Sequence, residues 1–154
     1  MASIFDLSKP TLSFYSVPVA FLLIMVPHSY ATSLAGKAYD LANPRMIEEF
    51  AAKDEKIDKV TLRRIRRANA AQDNGFESLG MYAGGIVAAN AAGVLPATVN
   101  SLALAYLAVR VVYNFVYVIL QDNRKFAPLR SLMWITSVGI MFALWIKAGN
   151  AAAL

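Results

Sequence analysis

Cysteine is absent from this 154-residue chain, and histidine occurs once, at His28. The first absence excludes a disulfide framework, a thiol nucleophile and a cysteine-ligated metal. The second excludes any multi-histidine site, so no bound metal is expected. No glycine-rich phosphate loop, dinucleotide fingerprint or metal-ligand spacing occurs either. Charge is scarce as well. Charged residues make up 16% of the chain against 58% hydrophobic, with a mean hydropathy of +0.47, outside the range of ordinary soluble domains. Such a chain reads as a membrane protein.

What is present is arranged in apolar runs. Residues 12–35 carry no formal charge over 24 residues, interrupted by Pro18 and Pro27. At about 1.5 Å per residue a helix of that length crosses a hydrocarbon core of roughly 30 Å. It is too long for a signal-peptide core and lacks a basic flank, since Asp6 stands beside Lys9. A second run covers 78–95, its helix beginning upstream near Lys59 or Thr61. A third covers 97–120 around Arg110, and a fourth 129–146. The expected architecture is all-α: a single domain over 1–154, an integral membrane four-helix bundle with spans at 12–36, 61–93, 98–121 and 128–147.

The connectors orient it. Residues 37–67 hold nine Lys/Arg, the link near Asn123 holds Arg124 and Lys125, and the link 93–101 holds none. By the positive-inside rule the first and third connectors face the cytoplasm and both termini lie on the other side. The net charge of +5 is concentrated in these connectors, which suits a cytoplasmic membrane face rather than nucleic acid. Within the long connector Asn43-Pro44 marks a turn, and the mixed charges of IEEFAAKDEKIDKV suit a solvated helix or loop.

Polar groups recur inside the apolar runs at helical spacing. In RRANAAQDNGFE, residues 66–77, the offsets of seven and three place Arg67, Asn74 and Glu77 on one helix face. Asp73 falls about 100° from Asn74, a position suited to a salt bridge or cap. In AYLAVRVVYNFVYV, residues 105–118, Tyr106, Arg110, Tyr113 and Tyr117 share a face. Two readings of Arg110 stand: a structural ion pair with Glu77 or Asp73, or a ligand-binding cation facing the bundle interior. The tyrosines suit packing or an interfacial belt as well as a pocket. His28 beside Pro27 reads as a hydrogen-bonded structural group. Gly80, Gly84 and Gly85 in GMYAGG have the spacing of close helix contact.

RRANAAQDNGFESL, the pattern Arg110-x-x-Tyr113-x-x-x-Tyr117 and APLRS at 127–131 together resemble the MAPEG family, the membrane-associated proteins of eicosanoid and glutathione metabolism. The resemblance covers about 14–146. It implies a homotrimer in the lipid bilayer, with glutathione bound between neighbouring subunits near the cytoplasmic face and a lipophilic small-molecule substrate entering from the bilayer. In a eukaryotic cell it implies the endoplasmic reticulum membrane. Carried onto this chain, the family pattern assigns Arg67, Asn74, Glu77, Arg110, Tyr113, Tyr117 and Arg130 to glutathione. It assigns catalysis to Arg130, Ser131 and Tyr117, with Arg130 stabilising the glutathione thiolate.

The departures are specific. Ala70 stands where the family carries a second arginine, Trp134 replaces a tyrosine of some members, and about four extra residues at 121–125 lengthen the last link. The resemblance implies a glutathione-dependent transferase, peroxidase or isomerase. The loss at position 70 keeps two alternatives open, a glutathione-independent isomerase or cyclase on the same fold and a non-catalytic lipid-binding scaffold.

Overall fold

The computed structural model describes residues 6–153; Met1 to Phe5 and Leu154 of the single expected domain lie outside the described residues. Five α-helices and no strand occur among them: α1 (Ser16–Ala35), α2 (Ile47–Lys53), α3 (Lys59–Ala91), α4 (Pro96–Val118) and α5 (Ala127–Ala152). Four are long, and α2, only 7 residues, is an addition to the expected four. It lies in the charged connector, where it buries Ile47 and Ala51 against α1 and α3.

Three segments are long and apolar enough to cross a membrane: Leu12–Ala38, Pro96–Asp122 and Arg124–Ala152. The remaining long helix, α3, mixes a charged first half with an apolar second half. Its 33 residues span about 50 Å at 1.5 Å per residue, more than a hydrocarbon core, which leaves the half with Lys59, Arg63, Arg64, Arg66 and Arg67 free to project. Asp58 caps its start, accepting from the amides of Val60 at 2.7 Å and Thr61 at 3.1 Å and from the Thr61 hydroxyl. These bonds hold the Asp58 carboxyl below its ordinary pKa, the Thr61 hydroxyl contributing most.

At the other end the chain turns sharply into α4. Gly93, at φ 74°, occupies the left-handed position after α3, the Val94 amide reaches back to the Ala89 carbonyl, and the Gly93 amide to Asn90. This is the glycine-based Schellman closure, and Pro96 opens the next helix where a missing N–H costs nothing. The last helix runs past the expected end of the fourth span at 147, through Gly149 and Asn150 to Ala152.

α1 packs most extensively on α3, and α4 on α5. Pro27 sits inside α1 and cannot donate to the carbonyl of Leu23. Asn114 of α4 supplies the missing donor, its Nδ2 lying 3.0 Å from that oxygen. The apolar core divides in two. One cluster includes Ile86, Val99, Tyr106, Met141 and Leu144; the other, at the end with the charged connectors, includes Ala31, Ile47, Ile65, Tyr113 and Val118. A polar layer lies between them.

Candidate functional site

The layer is built by one face of α3 meeting one face of α4. Arg110 is only 4% exposed. Its Nη1 donates to Asn74 Oδ1 at 3.0 Å, and its guanidinium carbon lies 4.6 Å from the centre of the Tyr113 ring. Space for it comes from Gly75, where a Cβ would lie 3.3 Å from Arg110 Nη2 and 2.6 Å from Ile24 Cγ1. Among the described residues no carboxylate comes within ion-pair distance of Arg110, so neither Glu77 nor Asp73 is its structural partner. A cation held by one amide oxygen and a ring face retains donors for a further acceptor.

From Arg110 a row of side chains runs toward the charged end. The Tyr113 and Tyr117 rings are 5.6 Å apart, and the Arg130 guanidinium, presented by the first turn of α5, lies 4.9 Å from the Tyr117 ring centre. Arg130 Nε is buried without a hydrogen-bond partner. Ser131 is half-buried beside it. The row Asn74, Arg110, Tyr113, Tyr117 and Arg130 thus joins three helices, with a cation at each end of a tyrosine pair. In the opposite direction it continues through Tyr106, on the face the sequence aligned with Arg110, and through Ser78, Tyr82 and Ser16, which the sequence patterns did not single out. Ser78 donates to the Asn74 carbonyl at 3.0 Å and lies 3.3 Å from the Tyr106 hydroxyl. Tyr106 stacks on Tyr82 at 3.8 Å, and Tyr82 reaches Ser16 at 2.6 Å. The spacing of four between Asn74, Ser78 and Tyr82 was the available signal.

Arg67 lies elsewhere. Its Nη2 donates to the Val118 carbonyl at 3.0 Å and to Asp122, while Arg64 Nε meets the same carboxylate at 2.7 Å. Asp122 belongs to the lengthened link, and its carboxylate bridges the two guanidiniums. No feature of the sequence marked Asp122 except an acid in a basic link opposite an arginine-rich helix start. Glu77 and Asp73 are exposed on the outer side of α3 and make no ion pair among the described residues. His28 Nδ1 pairs with Gln72 Oε1 at 3.1 Å and its ring meets the edge of Tyr39, a structural bond between α1 and α3. Gly84 and Gly85 are packing positions: an added Cβ would lie 2.9 Å from the Trp145 ring and 3.2 Å from Leu144, respectively. Nothing lies within 4 Å of such an atom at Gly80.

For the glutathione implied by the resemblance, the donor set fits at the sulfur end. Arg130 Nε is a buried donor lacking an acceptor, the Tyr117 ring lies against the same guanidinium, and Ser131 follows it on α5. The carboxylate end is provided for less well, because Arg67 is engaged and Ala70 carries no charge.

A model of the MAPEG family matches residues 14–150. No curated protein and no solved structure matches the chain. The family match covers nearly the whole length and every residue of the row, and three segments have the length and apolarity of membrane spans. This all-helical chain is an integral membrane protein and belongs to the MAPEG family.

Proposed function

We propose that this protein is a glutathione-dependent transferase, peroxidase or isomerase acting on a lipophilic electrophile, with its site near the cytoplasmic face between subunits of a homotrimer. In a eukaryotic cell it would reside in the endoplasmic reticulum. The observation that carries the reading is Arg130, a guanidinium seated on the Tyr117 ring with a buried Nε that has no acceptor.

Glutathione supplies a thiol, which near pKa 8.5 is largely protonated at neutral pH and becomes nucleophilic as the thiolate. Arg130 places positive charge where that sulfur's charge develops, in a pocket of low dielectric. The Tyr117 and Ser131 hydroxyls can donate to the same anion. Arg110, steadied by Asn74 and Tyr113, orients the peptide portion, and the outward-facing Glu77 is suited to receive its amino group at a subunit boundary. Charge on the exposed α3 face, at Asp73 and Glu77, favours burial against protein rather than lipid, which supports the trimer.

Equilibrium binding and turnover test the reading together. Arg130→Ala should reduce turnover with an activated aryl halide by about 10²–10³, with Arg130→Lys recovering part of it. Unchanged turnover in Arg130→Ala would remove Arg130 from the chemistry. A second reading, a glutathione-independent isomerase or cyclase using Arg110, Tyr113, Tyr117 and Glu77 as acid and base groups, is favoured by the engaged Arg67 and the apolar Ala70. Wild-type protein that binds no glutathione would establish that reading as the one to pursue.

A further inference from the structure

Arg64 and Arg67 lie three residues apart on α3, so their guanidiniums project from one face and form a cradle of carboxylate size. Asp122 fills it. One carboxylate oxygen accepts from Arg64 Nε at 2.7 Å and from Arg64 Nη2, and the other accepts from Arg67 Nη2. The donors are not exhausted. Arg67 Nε is buried without a partner, although its side chain is only 13% exposed. The cradle therefore offers more donors than Asp122 and the Val118 carbonyl use. Two arginines and one carboxylate leave it with a single net positive charge, and loss of the carboxylate charge would leave two.

We propose that Asp122 is a specificity-determining residue, an internal carboxylate that occupies the Arg64 and Arg67 cradle in competition with a carboxylate of the ligand. The inference rests on the glutathione reading for the identity of that ligand, while the cradle itself is a property of this chain. Asp122 sits in the link at 121–125, so the added residues supply the competitor. Ligands bearing a carboxylate are disfavoured at this end, and the Arg130 end is left untouched. Neutralising Asp122 should tighten binding of carboxylate ligands and leave the bound sulfur's ionisation as it was. A residue that merely tied the link to α3 would do neither.

The test uses full-length protein in mild detergent and two probes. The first is glutathione compared with its diethyl ester. The second is glutarate, scored by protection of Arg67 from phenylglyoxal, with the modified peptides quantified by mass spectrometry. Asp122→Asn should bind glutathione about tenfold more tightly, with ester affinity unchanged and the thiolate titration of bound glutathione unshifted. Glutarate should protect Arg67 in Asp122→Asn at concentrations that fail in wild type, and Asp122→Glu should behave as wild type. Equal or weaker binding of both glutathione and glutarate by Asp122→Asn overturns the proposal, even where wild type binds glutathione and the general reading stands. Protection by glutarate in the variant, with no glutathione bound by either protein, supports the cradle and removes glutathione as its ligand. Should Asp122→Asn lose its fold, Asp122→Ser carries the same expectation. Loss of fold in both neutral variants, with Asp122→Glu intact, would make the carboxylate a structural tie and overturn the proposal.

Discussion

Gly75 has no side chain where α3 crosses Ile24 of α1 and the guanidinium of Arg110, and a methyl group there would lie 2.6 Å from Ile24 Cγ1. Alanine in a helix is ordinarily favoured over glycine by about 1 kcal/mol, whereas overpacking costs about 1–3 kcal/mol. The second effect should win, because the contact is with a buried branched side chain and a buried cation. Gly75→Ala is therefore expected to lower the thermal midpoint. Gly139→Ala, where nothing lies within 4 Å, should hold or raise it, and a Gly75→Ala variant as stable as Gly139→Ala would contradict the packing described for Arg110. At this scale the sequence was informative wherever helical periodicity applied. The spacing that aligned Tyr106, Arg110, Tyr113 and Tyr117 reappears as three buried side chains and one half-buried. Periodicity also separates Glu77 from Asn74 by about 60°, enough to leave one outside while the other bonds Arg110. Asp122 was not legible, because its contact with Arg64 depends on how a turn 58 residues away folds back.

Between α1 and α4 the pairing of Pro27, Leu23 and Asn114 replaces a hydrogen bond that proline removed from the helix. In lipid an orphan carbonyl has no water to turn to, and an interhelical bond of this kind is worth about 0.6–1.7 kcal/mol. Asn114→Leu should lower the unfolding free energy from a denaturing-detergent titration by an amount in that range. In the Pro27→Ala background, where the backbone can supply its own donor, the loss should shrink. Equal losses in both backgrounds would show that Asn114 does not serve the proline-freed carbonyl. The existence of the long helices follows from apolar runs and their length, which is why they were readable. The short α2 was less so: IEEFAAKDEKIDKV has too few apolar residues to declare a face, and its helix is stabilised by docking Ile47 and Ala51 rather than by local pattern. The closure at Gly93 depends on a positive φ, and glycine near a helix end permits that conformation without requiring it.

The whole molecule presents an unmatched face. Along α3 the exposed residues Asp73, Phe76, Glu77, Gly80 and Met81 form a strip that the chain's own helices leave uncovered, and it carries two carboxylates toward what would otherwise be lipid. Cross-linking in mild detergent is expected to reach three copies and stop there; a ladder that ends at the monomer would contradict the proposed assembly. The proposed chemistry turns on the sulfur of bound glutathione and its dependence on Arg130. Its most direct measurement is the ultraviolet absorbance of the thiolate, titrated across pH with wild type and with Arg130→Ala. Glutathione on the wild-type protein is expected to ionise at lower pH than free glutathione, and on Arg130→Ala to ionise as it does in water. No bound glutathione on the wild type, or a thiolate signal that is the same in both proteins, would contradict it.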